Sequence, residues 1–117
     1  MKKVLFVDYS PSLMDAYASF LNNEGWKCSF ATNGKEALEK ILEEKPDLLL
    51  TDVKLPLMNG YELSKRIRAN PEIRDLHIIA SSLEALPKGM ESYIDESIPK
   101  GEPLELVNRI KDILGGK

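Results

Sequence analysis

Leu48-Leu49-Leu50 is a short run of apolar residues with no polar alternation, and Val4-Leu5-Phe6-Val7 and Ile78-Ile79-Ala80 repeat the pattern. A strand with one wet face alternates apolar with polar side chains. A continuous apolar run belongs instead to a strand covered on both faces, which means a parallel sheet between two helical layers. Two weaker stretches read as edge or near-edge strands. In Trp26 to Ala31, the residues Trp26, Cys28 and Phe30 alternate with Lys27 and Ser29, and Glu96 to Pro99 is a short second candidate.

Between these runs the period changes. Leu13, Met14, Tyr17, Phe20 and Leu21 form a helical stripe, as do Ala37, Leu38, Ile41 and Leu42, and later Leu106, Val107, Ile110, Ile113 and Leu114. Start signals agree: Ser10 precedes Pro11, Asn33 lies three residues before Glu36 as a capping box, and Asn59-Gly60 opens a helix around Leu63 and Ile67. Gly25, Pro46 and Pro71 supply stops. Pro87 and Gly89 interrupt the segment Leu83 to Tyr93, so a short or distorted helix is expected there. Five strand–helix units in alternation require right-handed crossovers and helices on both faces, giving a doubly wound α/β sheet.

At 117 residues, with 43% hydrophobic and 30% charged residues, the chain suits one domain with an unaided core. The 16 Lys and Arg against 19 Asp and Glu give a net charge of -3, without the basic excess that a phosphate backbone or an anionic membrane demands. No nucleic-acid or membrane partner is expected. Cys28 is the single cysteine and cannot close an internal disulfide, and the apolar run after Met1-Lys2-Lys3 stops at Asp8, too short for a signal-peptide core. These features point to a cytoplasmic protein, one domain over residues 1–117 without an output domain, with Gly115-Gly116-Lys117 as a linker-like end.

Ligand chemistry in doubly wound sheets gathers at the carboxyl ends of the strands. There the sequence offers Asp8-Tyr9-Ser10, Thr51-Asp52-Val53-Lys54, Ser81-Ser82 and Pro99-Lys100-Gly101. Taken singly, each has a plain structural explanation as a strand end, a backbone bond or a surface amine. Together, two carboxylates, a hydroxyl and an amine suit phosphoryl transfer onto a carboxylate, with Asp52 as nucleophile, Asp8 holding Mg²⁺, and Lys100 and Ser82 binding the phosphoryl oxygens.

Over nearly its whole length the chain resembles the receiver domains of bacterial two-component response regulators, most specifically in Asp52-Val53-Lys54-Leu55-Pro56-Leu57-Met58-Asn59-Gly60. The resemblance implies a flavodoxin-like five-stranded parallel sheet in the order 2-1-3-4-5 with five helices. It further implies a phosphoacceptor Asp52 served by a sensor histidine kinase or phosphotransfer protein, a metal-site carboxylate at Asp8, and a metal-facing main-chain carbonyl at Lys54. The signalling hydroxyl falls on Ser82 and the phosphate-binding amine on Lys100, and a downstream protein would read the switched state. Such a domain is a signalling unit that assists its own phosphorylation and dephosphorylation, not a conventional enzyme.

Three positions depart from the family pattern. Tyr9 stands where a second acid is usual, so Mg²⁺ binding should be weaker: a divalent ion facing three carboxylates leaves one net negative charge, whereas Asp8 and Asp52 alone bring the site to neutrality. Ser97 stands where an aromatic often rotates on activation, and Gly101 where a proline commonly follows the lysine. Lys54 and Glu84, each two residues beyond a site residue, are expected to meet across the mouth of the pocket and to act on phosphate lifetime. The departures favour a second reading, a phosphorylation-independent pseudo-receiver that acts by protein docking. An FMN protein is disfavoured because the loop after Val7 lacks glycine and contains Pro11, and a phosphatase with Asp8 as nucleophile lacks the acid two residues on. His77 is read as a turn residue, Trp26, Phe30 and Tyr17 as core, and Cys28 as inert.

Overall fold

The computed structural model describes residues 1–115, so Gly116 and Lys117 of the linker-like end lie outside the described residues. The strands are β1 (Lys3–Val7), β2 (Lys27–Ala31), β3 (Leu48–Thr51), β4 (His77–Ser82) and β5 (Glu96–Pro99), and the helices are α1 (Pro11–Asn22), α2 (Gly34–Glu44), α3 (Gly60–Ala69) and α4 (Pro103–Leu114). All strand pairings are parallel, in the order β2-β1-β3-β4-β5, which leaves β2 and β5 at the edges. The five-stranded doubly wound sheet is the one the apolar runs require.

Side-chain alternation along each buried strand divides the core in two. Val4, Phe6, Leu48, Leu50 and Ile79 pack with Tyr17 and Leu21 of α1 and with Leu106, Val107 and Ile110 of α4. Leu5, Val7, Leu49 and Ile78 face the other way, onto Ala37 and Ile41 of α2 and Leu63 and Ile67 of α3. The central strands therefore have no wet face, which is why their sequences do not alternate. Phe20 and Leu42, placed on the apolar stripes by periodicity, lie at the stripe margins and are 37% and 39% exposed.

The helix starts follow the sequence signals. Ser10, Asn33 and Asn59 accept the backbone N–H groups of Leu13, Glu36 and Glu62 respectively. The Glu36 carboxylate accepts from Thr32 N–H at 2.9 Å, one residue earlier than an ideal capping box.

The expected count of five helices is corrected to four among the described residues. After β4 the chain forms a single 3-10 turn, Met90–Ser92. Pro87 has no N–H to continue a helix, and Gly89 takes a φ of 96°, outside helical space. Met90, fully buried against Val53 and Ala80, anchors the shortened crossover. His77 also differs from expectation: it opens β4, with Nε2 3.4 Å from Glu96 Oε2 on β5. Cys28 is half-buried on β2, and burial pushes its thiol pKa up, which keeps it in the unreactive protonated form.

Candidate functional site

Asp8 and Asp52 extend neighbouring strands by one residue. Asp8 N–H donates to the Ala31 carbonyl at 3.1 Å and Asp52 N–H to the Val7 carbonyl at 2.9 Å, so the sheet ladder fixes both backbones before the chain turns away. Each carboxylate is then held locally. Asp8 Oδ1 accepts from Ser10 N–H at 2.8 Å, the side-chain turn that Asp forms two residues ahead of itself, and Asp52 Oδ1 accepts from Val53 N–H at 2.7 Å. Both residues are buried, at 1% and 8% exposure.

Lys100 follows β5 and its N–H donates to the Ser82 carbonyl at 3.3 Å. Its side chain crosses the end of β4 to set the ammonium 2.7 Å from Asp52 Oδ2 and 2.9 Å from Asp8 Oδ2. The Asp52 contact is a hydrogen bond. The Asp8 contact is a close ion pair without hydrogen-bond alignment, and Asp8 Oδ2 has no other hydrogen-bond partner among the described residues. A point charge needs no alignment to attract, so the ion pair stands. Burial pulls the Lys100 pKa down, but the hydrogen bond to Asp52 and the negative charges of Asp52 and Asp8 outweigh it and hold the ammonium above the ordinary lysine value. Two carboxylates and one ammonium leave the pocket with one net negative charge.

A cleft of about 260 Å³ opens beside Asp52, lined by Asp52, Lys54, Ser82, Leu83, Glu84 and Lys100. Ser82 is half-buried in this wall, and its hydroxyl accepts from Glu84 N–H at 3.2 Å rather than bonding to Asp52 or Lys100. Lys54 and Glu84 meet at the mouth, Nζ to Oε1 at 2.8 Å, with side chains 74% and 65% exposed. Tyr9 is 65% exposed. Ser97 is exposed and lines an adjoining groove with Ser82, Leu86, Ile98 and Pro99.

The loop from Asp52 to α3 closes tightly. Gly60 N–H donates to the Val53 carbonyl at 2.8 Å, and a Cβ at position 60 would lie 2.3 Å from the Asp52 carbonyl oxygen. Only glycine fits there without moving the backbone of Asp52.

No cluster of three or more His, Cys, Asp or Glu suited to a metal occurs among the described residues. The pocket offers two carboxylates, and the buried Asp8 Oδ2, which lacks a hydrogen-bond donor, is a fitting ligand for a hard cation. Mg²⁺ commonly binds through one or two carboxylates while keeping several waters. No helix among the described residues is long and apolar enough to cross a membrane.

One contact was not legible in the sequence. Tyr17, read as a core aromatic, is buried and stacked on Phe6, and its phenol oxygen accepts from Gly101 N–H at 2.8 Å. The available signal was Gly101 itself, which carries an N–H where a proline would have none.

The family model described as "Response regulator receiver domain" matches residues 4–111. The alkaline phosphatase synthesis transcriptional regulatory protein PhoP of Bacillus subtilis is 34% identical over 116 residues, covering 97% of the chain and 48% of PhoP, so the chain spans about half the length of that regulator. A solved structure of a putative response regulator from Chloroflexus aurantiacus superposes with a TM-score of 0.87 at 33% identity, covering 97% of this chain and 98% of that one. The receiver domain of the Pseudomonas aeruginosa sensor histidine kinase PA1611, solved with a magnesium ion coordinated in its active-site cleft, shares the fold at a TM-score of 0.86 and 23% identity, covering 97% and 98% of the two chains.

Proposed function

Because the chain belongs to the response regulator receiver domain family, we propose that it is the phosphoacceptor switch of a two-component phosphorelay, taking a phosphoryl group on Asp52 from a histidine kinase or phosphotransfer protein. Receiver domains are signalling domains that work with such kinases and with downstream effectors. The observation that carries the reading is the single Lys100 ammonium within 2.9 Å of both buried carboxylates, beside an open cleft.

In this reading Asp52 Oδ1 is oriented by Val53 N–H, and Oδ2 attacks the phosphorus of a phosphohistidine. An O–P bond forms as the P–N bond breaks, and the electron pair leaves with the imidazole of the donor. The Lys100 ammonium moves from the carboxylate to the phosphoryl oxygens, where charge develops. Ser82 gives up its bond from Glu84 N–H and turns its hydroxyl to the same oxygens. Asp8, Asp52 and the Lys54 main-chain carbonyl are the residues that would hold Mg²⁺. When bound, that ion would neutralise the phosphoryl charge, and with Tyr9 in place of a second acid we expect it to bind weakly. The domain over residues 1–117 would act in the cytoplasm, speed its own phosphorylation and dephosphorylation, and signal by contact with a downstream protein rather than with nucleic acid or membrane.

The test is incubation with a small phosphodonor and Mg²⁺, followed by intact mass measurement. One added phosphoryl group, lost in Asp52→Asn, is expected; an unmodified chain would overturn the reading. That negative result would favour the pseudo-receiver, to which Tyr9, Ser97 and Gly101 lend support, since Lys100 already neutralises much of the pocket without any phosphoryl group.

A further inference from the structure

Lys100 bridges two buried carboxylates, and the turn that follows it helps to set where its main chain sits. That turn has few internal restraints. Gly101 takes a φ of 89° and has no neighbour within 4 Å of where a Cβ would sit, and Glu102, at the N-cap of α4, makes no side-chain capping bond. A glycine in this position leaves the chain free on its own account. Its restraint comes from 84 residues away, where the Tyr17 phenol oxygen accepts the Gly101 N–H at 2.8 Å. Tyr17 is itself fixed: it is 3% exposed on α1, and its ring stacks on Phe6 of β1 with centroids 5.3 Å apart and planes 15° from parallel.

We propose that Tyr17 is a positioning residue for Lys100, its phenol oxygen pinning the turn after β5 and thereby holding the ammonium against Asp8 and Asp52. The Lys100 main chain is then clamped from both sides, by its own N–H to the Ser82 carbonyl and by the next N–H to Tyr17. Orienting the ammonium in advance lowers the ordering cost of bringing it to a charged group. The consequence for phosphoryl transfer rests on the function proposed above; the geometric claim does not.

Tyr17→Phe removes the oxygen and keeps the ring on Phe6, so the core stays filled. Ile110→Val, in the same core but not bonded to the turn, serves as the control for general loosening. In protein labelled with ¹⁵N, hydrogen exchange of the Lys100 ammonium and of the Gly101 amide should become several-fold faster in Tyr17→Phe and stay unchanged in Ile110→Val. Phosphorylation of Asp52 by a small phosphodonor should slow in Tyr17→Phe alone. An unchanged Lys100 ammonium in Tyr17→Phe, or an equal change in Ile110→Val, overturns the positioning role. Faster ammonium exchange in Tyr17→Phe with no phosphorylation of the wild-type chain upholds the positioning role and refutes the phosphoacceptor reading instead.

Discussion

Removing the Lys100 charge tests the electrostatics of the pocket directly. Its ammonium sits 2.7 Å and 2.9 Å from two carboxylate oxygens, and the side chains of Lys100, Asp8 and Asp52 are 12%, 2% and 11% exposed. At an effective dielectric of 20, charges this close attract by about 6 kcal/mol per ion pair before any cost of desolvation. Most of that is offset by taking three charges out of water, so the pairs contribute little net stability compared with apolar packing. Deleting one partner is different, because two like charges are then left facing each other in a buried site, at a cost of about 3–5 kcal/mol. Lys100→Met keeps the length of the stem and should lose about 3 kcal/mol at pH 7, the lower end applying because the ammonium retains some solvent. Adding Asp8→Asn removes one of the two repelling charges, so the double variant should be more stable than the sum of the single losses predicts, by about 2 kcal/mol, well beyond the additivity seen for uncoupled sites. Urea unfolding followed by the fluorescence of the buried Trp26 measures all four members of the cycle. A loss under about 1 kcal/mol for Lys100→Met, or additive losses, would refute the coupled pocket.

Four further outcomes follow from particular contacts. Gly60→Ala forces a Cβ to 2.3 Å from the Asp52 carbonyl oxygen, so it should cost about 2 kcal/mol in urea unfolding and slow phosphorylation of Asp52; a variant as stable and as reactive as the wild type contradicts the close fit. Glu96 has its pKa lowered, first by the hydrogen bond from Arg109, so its contribution is present above the ordinary value of 4.5 and is lost as pH falls through the lowered folded value. With both side chains partly exposed the effect is under about 1 kcal/mol, and the stability gap between wild type and Glu96→Gln should narrow from pH 7 to pH 3. Exchanging the charges of Lys54 and Glu84 should leave stability within about 0.5 kcal/mol while changing the lifetime of the acyl phosphate; identical lifetimes dispose of a role for the pair at the pocket mouth. Tyr9→Asp should tighten Mg²⁺ binding in calorimetry, and equal affinities would contradict the charge count at the pocket.

The parallel sheet, its two edge strands and three of the helix starts were legible because they depend on local signals: unbroken apolar runs, 3.6-residue stripes and side-chain caps; the order of the strands followed from the family resemblance, since no local pattern sets it. The strand-end rule also selected Asp8, Asp52 and Lys100 before their convergence was visible, since a ladder of parallel strands brings successive carboxyl ends to one edge. What the sequence could not reveal was non-local. Local pattern registered Pro87 and Gly89 as breakers, but not that Met90 would settle on Val53 and Ala80 and anchor the single 3-10 turn they leave. Tyr17 has the spacing of a core residue, and nothing on α1 announces a hydrogen bond to Gly101. The hub at Arg68 is similarly hidden: its guanidinium donates to the carbonyls of Tyr93, Arg74 and Leu76 and to Asp95 Oδ2, joining the end of α3 to the approach to β5.

The departures from the family pattern have a common electrostatic consequence. With a second acid at position 9 the resting pocket would hold three carboxylates against one ammonium; with Tyr9 it holds two, and Lys100 can touch both. Less like-charge repulsion is then stored in the resting fold, so the folded state depends less on a cation to relieve it. Phosphorylation of Asp52, as proposed above, would reverse the balance, because a phosphoryl group near neutral pH carries about one more negative charge than the carboxylate it replaces. In that proposed state, with fewer acids to recruit Mg²⁺, a larger share of that charge would fall on Lys100, and the rigidity of its turn would matter more. A freer glycine follows the lysine at that point, and the restraint a proline ring would have supplied comes instead from the phenol oxygen of Tyr17.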